Sequence, residues 1–339
     1  MKTVGLTYDL KTDYEFREGD PVDANAEFDH PSTIDVIADA IASNGFRVKR
    51  IGNVEQLLET IDRLDVDIVF NISEGIQGRN RESQVPVLLE MKGVPFVGSD
   101  ALTLALTLDK VMAKKVFTAE KIPTPRSFEI SSTRQLETTN HRRFPLIVKP
   151  RFEGSSKGLT ESSRVGGEEE LRTQVDHIVR TYKQPALVEE FISGQEFTVA
   201  LIGNDDPLVL PVVQIKIDGR YKLDERFYTF ERIQSDKLEY VCPAHISAGL
   251  ERRLQLLAVR TYRAVECRDF GRVDFRVDHE GNPYVLEINP LPSLSTEDVF
   301  KLVAQEIGIT YNEIIGRILQ AALVRHNLSV PCDEDCPDV

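Results

Sequence analysis

The sequence predicts an α/β fold that opens with a Rossmann-like parallel sheet, continues through a small α/β unit and ends in a strand-rich one. Three observations predict it. Over the first hundred residues short apolar strands alternate with helix-spaced segments, as parallel βαβ units require. From residue 195 the pattern turns strand-rich. The 339 residues, at ~100–200 per domain, allow two or three domains with room for a site between them.

In order along the chain, residues 2–8 (KTVGLTY) read as a strand and 32–45 as a helix ended by Gly45. Residues 46–51 look extended, and 67–72 (DIVFNI) form a buried strand. Ligands sit at the carboxyl ends of such strands, which singles out the long acidic loop 9–31 and the Gly-rich, charged loop 73–84 (SEGIQGRNRESQ). A helix at about 82–92 follows, then a helical stretch from about 100 to 120 stopped by IPTP at 122–125. From 126 to about 187 a small α/β unit is expected: FPLIVKP as a strand, RFEGSSKG as a loop, a helix near 167–182 and PALVEEFI as a strand. Beyond it EFTVALIG and LVLPVVQI are strands, 217–238 is a polar loop and 247–265 a helix. GRVDFRV and PYVLEIN are strands joined by the turn HEGN; a last helix spans 311–325, and a disordered tail begins after about 330.

Lys plus Arg total 41 against 55 for Asp plus Glu, a formal charge of −14, which repels a phosphate backbone and excludes nucleic acid as a partner. With 41% hydrophobic and 28% charged residues the chain is neither disordered nor membrane-spanning, and no apolar run reaches the ~20 residues of a membrane helix. The start MKTVGLTYDL lacks the apolar core of a signal peptide, so a cytoplasmic protein is expected. Cysteines at 242, 267, 332 and 336 make neither a disulfide framework nor a zinc spacing and are read as reduced thiols. The histidines at 30, 141, 177, 245, 279 and 326 form no i, i+4 pair and are read as surface or capping residues, with His30 alone in a presumed substrate loop.

Three segments carry chemistry. Lys149 ends an apolar strand and is followed by Arg151-Phe152-Glu153-Gly154-Ser155-Ser156-Lys157-Gly158; backbone N–H groups of such a loop can fold over phosphate oxygens while the lysine offsets their charge. It is not a Walker loop, because the lysine precedes the glycines; the plainer alternative is an ordinary hairpin loop. Arg272-Val273-Asp274 and Glu287-Ile288-Asn289 lie on two strands linked by a turn. Alternation puts Arg272 with Asp274, and Glu287 with Asn289, on one face, so two carboxylates and a carboxamide can converge in the manner of an Mg²⁺ site or of a salt-bridged sheet edge. In Leu187-Val188-Glu189-Glu190-Phe191-Ile192-Ser193-Gly194-Gln195-Glu196 an extended segment could read a purine edge with a carboxylate on its amino group and Glu196 on the ribose, or the acids could be a solvated rim.

With these segments in this order, the chain resembles the ATP-grasp superfamily and, within it, the D-alanine–D-alanine ligase family over nearly its whole length. The resemblance is carried by FVGSDALTLALTLDKVMAKK, VKPRFEGSSKG, VEEFISGQEFTV, YVCPA, GRVDF and LEINPLPSLS. It implies an ATP-grasp fold: a substrate-binding domain over 1–104, ATP-grasp subdomains over 105–190 and 191–330, and a tail at 331–339. It implies that Lys110 and Lys149 contact ATP phosphates and that Glu153, Ser155 and Ser156 belong to a loop closing over them. Glu189 would take the adenine amino group, Glu190, Phe191 and Ile192 the adenine edge, and Glu196 the ribose. Asp274, Glu287 and Asn289 would hold two Mg²⁺, with Mn²⁺ an alternative. Arg272 would stabilise the transferred phosphoryl group and the tetrahedral intermediate, and Ser155 would stand with it among the catalytic residues. The implied activity is an ATP-dependent carboxylate–amine ligase working through an acyl phosphate on small-molecule amino acid substrates, in an enzyme that the resemblance makes a homodimer.

The departures fall on substrate-facing positions. Glu27, with Asp29 as its rival, stands near the family glutamate that holds the first substrate's ammonium. Ser293 replaces a glycine facing the intermediate, and Asp298 replaces the serine that takes the second substrate's carboxylate. Glu74-Gly75 replaces His-Gly, and Arg232 is the stand-in for a phosphate-contacting lysine. A carboxylate facing a carboxylate repels, so a nucleophile other than D-alanine is expected. The rival readings are a true D-alanine–D-alanine ligase and an ATP-binding regulator without turnover.

Overall fold

Four strands at the start of the chain, β1 (Thr3–Tyr8), β2 (Arg47–Gly52), β3 (Ile68–Ile72) and β4 (Phe96–Val97), pair in parallel in the order β2-β1-β3-β4. The computed structural model describes residues 1–138, 143–235 and 237–328; His141, Cys332, Cys336 and the predicted tail at 331–339 lie outside the described residues. Every position of β3 is buried, as expected of a continuous apolar run in a parallel sheet covered on both faces. Helices α1 (Pro31–Ser43), α2 (Val54–Thr60) and α3 (Gln84–Lys92) connect these strands.

The helical stretch predicted as continuous over 100–120 is two helices, α4 (Ala101–Leu108) and α5 (Lys110–Ala119), broken at Asp109. That buried carboxylate caps α5 through the Met112 N–H at 3.2 Å. It also accepts from Arg151 at 2.7 and 2.6 Å and from Arg79 at 2.8 Å. A side chain that satisfies helix-terminal donors favours a new start over continuation, and the break sets Lys110 in the first turn of α5.

The second sheet is antiparallel, with β5 (Ser127–Ile130), β6 (Leu146–Pro150), β7 (Arg164–Val165) and β8 (Ala186–Glu190) in the order β5-β8-β6-β7. Helix α6 (Glu168–Thr181) covers it, packing Leu171, Val175 and Ile178 on Val148 and Val188. The third sheet is also antiparallel. It contains β9 (Gly194–Ile202), β10 (Leu208–Val209), β11 (Val213–Ile217), β12 (Leu238–Val241), β13 (Phe270–Asp278) and β14 (Pro283–Asn289), in the order β12-β11-β9-β13-β14 with β10 on β9. The run predicted as one strand at 208–215 is split around Pro211, whose nitrogen cannot donate to a ladder. A short helix α7 (Phe230–Ile233) lies in the predicted polar loop, and α8 (Ala248–Ala264) covers the sheet.

The last helices, α9 (Val299–Glu306) and α10 (Tyr311–Arg325), return to the first sheet. Ile314, Ile315, Ile318 and Leu319 share one core with Ile34, Ile37 and Ile41 of α1 and with Val4 and Leu6 of β1. Arg325 ties this return to the third sheet, donating to the fully buried Asp269 at 2.6 Å and to the Phe96 carbonyl at 2.8 Å. Among the described residues no helix is long and apolar enough to cross a membrane.

Candidate active site

One cleft of about 1000 Å³ lies where the loops after β1 and β3 face the loop after β6 and the open face of the third sheet. Its floor follows from strand register. Arg272 stands opposite Asn289 and Asp274 opposite Glu287, while on β9 Thr198 neighbours Asp274 and Glu196 neighbours Arg276. Side chains two apart share a face, so all of these project together. Asp274 accepts from Thr198 Oγ1 at 2.6 Å, Asn289 Nδ2 at 2.9 Å and Arg272 Nε at 3.0 Å. Glu287 pairs with Lys110, and the Lys110 and Lys149 charges hold its carboxyl down at about 2. Asp274, Glu287 and Asn289 thus form a set of oxygen donors that could hold a hard divalent cation. Among the described residues no group of three or more His, Cys, Asp or Glu could do so; in this set the third donor would be a carboxamide.

Lys149 at the end of β6 is the diagonal neighbour of Glu189 on β8, and the two pair. Glu189 is 1% exposed and also pairs with Lys114 at 2.5 Å. The structure therefore places Glu189, expected at an adenine amino group, as the shared counter-ion of two lysines, which keep its carboxyl below the ordinary range. Lys114 has no role in the sequence reading. Its signal was present, because it lies four residues after Lys110 and so on the same helical face.

Phe191 lies between Arg164 and Arg276, 5.3 and 4.8 Å from their guanidinium carbons, and against Phe227. Glu190, Phe191 and Ile192, expected at the adenine edge, all line the cleft. Glu196 Oε2 is buried with no hydrogen-bond partner among the described residues, and Arg276 Nη1 stands 3.7 Å away. Burial and the Asp274 charge push this carboxyl up to about 7. A buried acceptor without a donor is costly, and a ligand hydroxyl at the cleft would satisfy it.

The loop after β6 is docked shut on the N-terminal loop. Arg81 Nη2 donates to both Glu27 oxygens at 2.7 and 2.8 Å and to Glu153 at 3.3 Å, while its Nη1 donates to the Phe152 carbonyl at 2.8 Å. The Gly154 N–H donates to Glu27 at 2.6 Å, and Lys157 pairs with Glu153 at 2.5 Å and Glu27 at 3.2 Å. Asp23 takes the Gly158 N–H at 2.7 Å and the Tyr182 hydroxyl at 2.9 Å. Ser155 and Ser156 both adopt left-handed φ, 45° and 56°, a conformation that costs a serine roughly 1 kcal/mol or more and persists only when the surroundings hold it. Arg81→Ala is expected to leave Glu27 and Glu153 facing one another with Lys157 alone, and to speed proteolytic cleavage within 152–158 by at least about tenfold. Glu27 is held at about 2 by Arg81 and Lys157 against desolvation, below its ordinary value near 4.5. Its contribution is therefore whole above pH 4.5 and lost as pH falls from there through 2, so the same cleavage should accelerate in acid.

Glu27, expected to hold a substrate ammonium, is thus saturated by protein groups. Asp29, Glu74 and Glu82 line the same end of the cleft. Glu74 is aimed by Asp9, which accepts from Ser73 Oγ at 2.6 Å and the Gly75 N–H at 2.9 Å. Gly75 has φ +71°, and a Cβ there would lie 2.6 Å from the Arg81 carbonyl, which only glycine avoids.

At the opposite end Asp298 caps α9 and approaches Arg272 Nη1 at 3.6 Å, so Arg272 lies between Asp274 and Asp298. Ser293 lines the loop beside them. Tyr228 and Tyr240, which have no role in the sequence analysis, line this end and pack on one small core with Ile215 and Leu223. Arg232, expected at the phosphates, does not line the cleft: it pairs with Glu161 at 2.5 Å and donates to the Phe227 carbonyl at 2.8 Å. The turn of α7 directs it away from the cleft, where Lys110 and Lys149 line the wall.

The parallel sheet, two antiparallel units and the cleft with its lysines, arginine and paired carboxylates define an ATP-dependent C–N ligase of the ATP-grasp class. The family model for the D-ala D-ala ligase C-terminus matches residues 116–320. A D-alanine–D-alanine ligase of Carboxydothermus hydrogenoformans is 33% identical over 303 residues, 86% of this chain and 92% of that protein. An uncharacterized protein of Sinorhizobium fredii is 42% identical over 259 residues, 76% of this chain and 75% of its own. The ATP complex of the Bacillus anthracis D-alanine–D-alanine ligase shares the fold with a TM-score of 0.72 at 21% identity, covering 97% of this chain and all of that one. The chain belongs to the D-alanine–D-alanine ligase family.

Proposed function

We propose that the protein condenses the carboxylate of an amino acid with an amine other than D-alanine, passing through an acyl phosphate and releasing ADP and phosphate. The observation that carries this is the position of Arg272, on the floor beside the oxygen donors Asp274, Glu287 and Asn289 and at the same time against Asp298. A carboxylate oxygen that attacks the γ-phosphorus of ATP displaces ADP, and an amine that then attacks the acyl carbon displaces phosphate. Lys110, Lys149 and Arg272 supply fixed positive charge where charge develops, which is most of what phosphoryl transfer asks of a protein. Asp274, Glu287 and Asn289 would hold Mg²⁺, which when bound neutralises phosphate charge. The docked 152–158 loop keeps water from an acyl phosphate that would hydrolyse. Glu196, with its free acceptor, fits the ribose hydroxyls. We place the reaction in the cytoplasm.

Asp298 supports a nucleophile that lacks a carboxylate at that position or carries a cation, because it would repel the carboxylate of D-alanine. The test is phosphate release from Mg-ATP with D- and L-amino acids and amines, singly and in pairs, with mass spectrometry of products. Release that needs two compounds and yields their condensed mass is the expected result. Condensation of D-alanine with itself would overturn the assignment of the nucleophile, and ATP binding without release under any pair would overturn turnover altogether. Glu287→Ala, by removing one oxygen donor and freeing Lys110, is expected to abolish release; retained activity would count against the metal assignment.

A further inference from the structure

We infer that the substrate held at the N-terminal end of the cleft carries an ammonium or guanidinium group on its side chain, received by Glu74 and Glu82 with Asp29, as in a diamino acid. This rests on the ligase reading and goes beyond it by naming the substrate class. The family's ammonium-binding position, Glu27, is already saturated by Arg81, Lys157 and the Gly154 N–H. Glu82 is 8% exposed, lines the cleft and makes no hydrogen bond or ion pair with any described residue. A carboxylate that buried is seldom left without a partner.

Glu74 and Asp29 likewise line the cleft without a side-chain hydrogen bond or ion pair among the described residues. Glu74 feels Glu82, Glu27 and Asp29 as repelling neighbours, with Arg81 as the opposing charge. Arg81 is committed to Glu27, Glu153 and the Phe152 carbonyl, and Lys110 to Glu287. Lys11 acts on Asp29 only from beyond ion-pair range. Burial raises all three carboxyls, Asp29 to about 7 with the Asp9 charge added and Glu82 to about 8 with the Glu27 and Glu153 charges added, against the opposing charges of Lys11 on Asp29 and of Arg81 and Lys110 on Glu82. One α-ammonium would meet one of these carboxylates and leave two; a second cation on the same molecule balances the wall. Negatively charged side chains would add to the repulsion, and neutral ones would leave it as it stands.

The test uses the full chain. D- and L-lysine and ornithine are compared with their uncharged counterparts norleucine and norvaline, by calorimetric titration and by phosphate release from Mg-ATP with a partner amine. The basic compounds are expected to bind at least about tenfold more tightly, and Glu82→Gln to erase that preference. The variant should fold at least as well as the native chain in urea, because it replaces a buried carboxyl with an uncharged isostere, so lost preference will not reflect lost structure. Equal binding of norleucine and lysine to the native chain, or preference retained in Glu82→Gln, overturns the proposal. Lysine preference that Glu82→Gln abolishes, without phosphate release under any pair, would sink the ligase reading and leave the cation site standing. Condensation of neutral amino acids, with basic ones neither binding nor reacting, would do the reverse.

Discussion

Arg272→Lys is expected to lower turnover about 10²- to 10³-fold, and Arg272→Ala about 10³- to 10⁵-fold, while ATP affinity in the presence of Mg²⁺ changes by less than about threefold. The range is that of an arginine that stabilises a transferring phosphoryl group. Arg272 presents Nε and Nη2 to Asp274 at 3.0 and 3.1 Å and Nη1 toward Asp298. A guanidinium fork can hold both carboxylates while facing the cleft; an ammonium is a point charge and cannot. Its distance in register from Lys149 and Glu189, which lie on another sheet, is why binding and turnover should separate. Single-turnover phosphate release and calorimetry with ATP measure the two quantities independently. Turnover within tenfold of native in Arg272→Ala would remove the residue from the chemistry. A parallel loss of ATP affinity would assign it to binding instead.

Glu189→Ala should unfold the protein more readily than any single change in the nucleotide region. The carboxylate is fully enclosed and compensates both Lys114 and Lys149, and deleting one partner of a buried ion pair costs about 3–5 kcal/mol because the remaining charge is stranded. Lys114 already sits below its ordinary range through burial, so it is the lysine expected to lose its proton first. A second substitution separates structure from function. In Glu189→Gln with Lys114→Met one of the two stranded charges is gone and part of the urea stability should return, yet Lys149 no longer has its orienting partner and ATP binding should stay weak. Full recovery of ATP binding in the double variant would reduce Glu189 to a structural counter-ion.

Much of the floor was legible in advance. Arg272, Asp274, Glu287 and Asn289 fall on two strands joined by a short turn, and alternation plus a tight hairpin fixes their common face with no knowledge of the rest of the chain. The same holds for Lys149 at a strand end and for the small-residue loop after it. The positions read less well are those whose orientation depends on a partner distant in sequence. Arg232 was assigned by its place in a segment, but a turn of α7 and the carboxylate of Glu161 decide where it points. The sequence places Glu27, with Asp29 as its rival, at a substrate ammonium, since nothing local shows that Arg81 and Lys157 converge on it. Lys114 carries no role on sequence grounds because an i, i+4 lysine is ordinarily a solvated one; only its partners Glu189 and Thr124, distant in sequence or in the fold, enclose it.

By itself the sequence determined the parallel first sheet, the carboxylate–arginine floor, the family and most of the elements, though not α2, α7 or the breaks at Asp109 and Pro211; what it determined rests on periodicity and on motifs contained within some twenty residues. The tertiary structure decided that α10 closes on α1 in a core shared with Ala200, Ile202 and Phe270 of the third sheet, that Glu27 belongs to a latch, and that Asp29, Glu74 and Glu82 are left to face the cleft together. The physical reason is that a buried charge takes its meaning from whatever opposes it within a few ångströms. In this protein those opposing groups come from loops 50 to 150 residues apart, such as Glu27, Arg81 and Lys157.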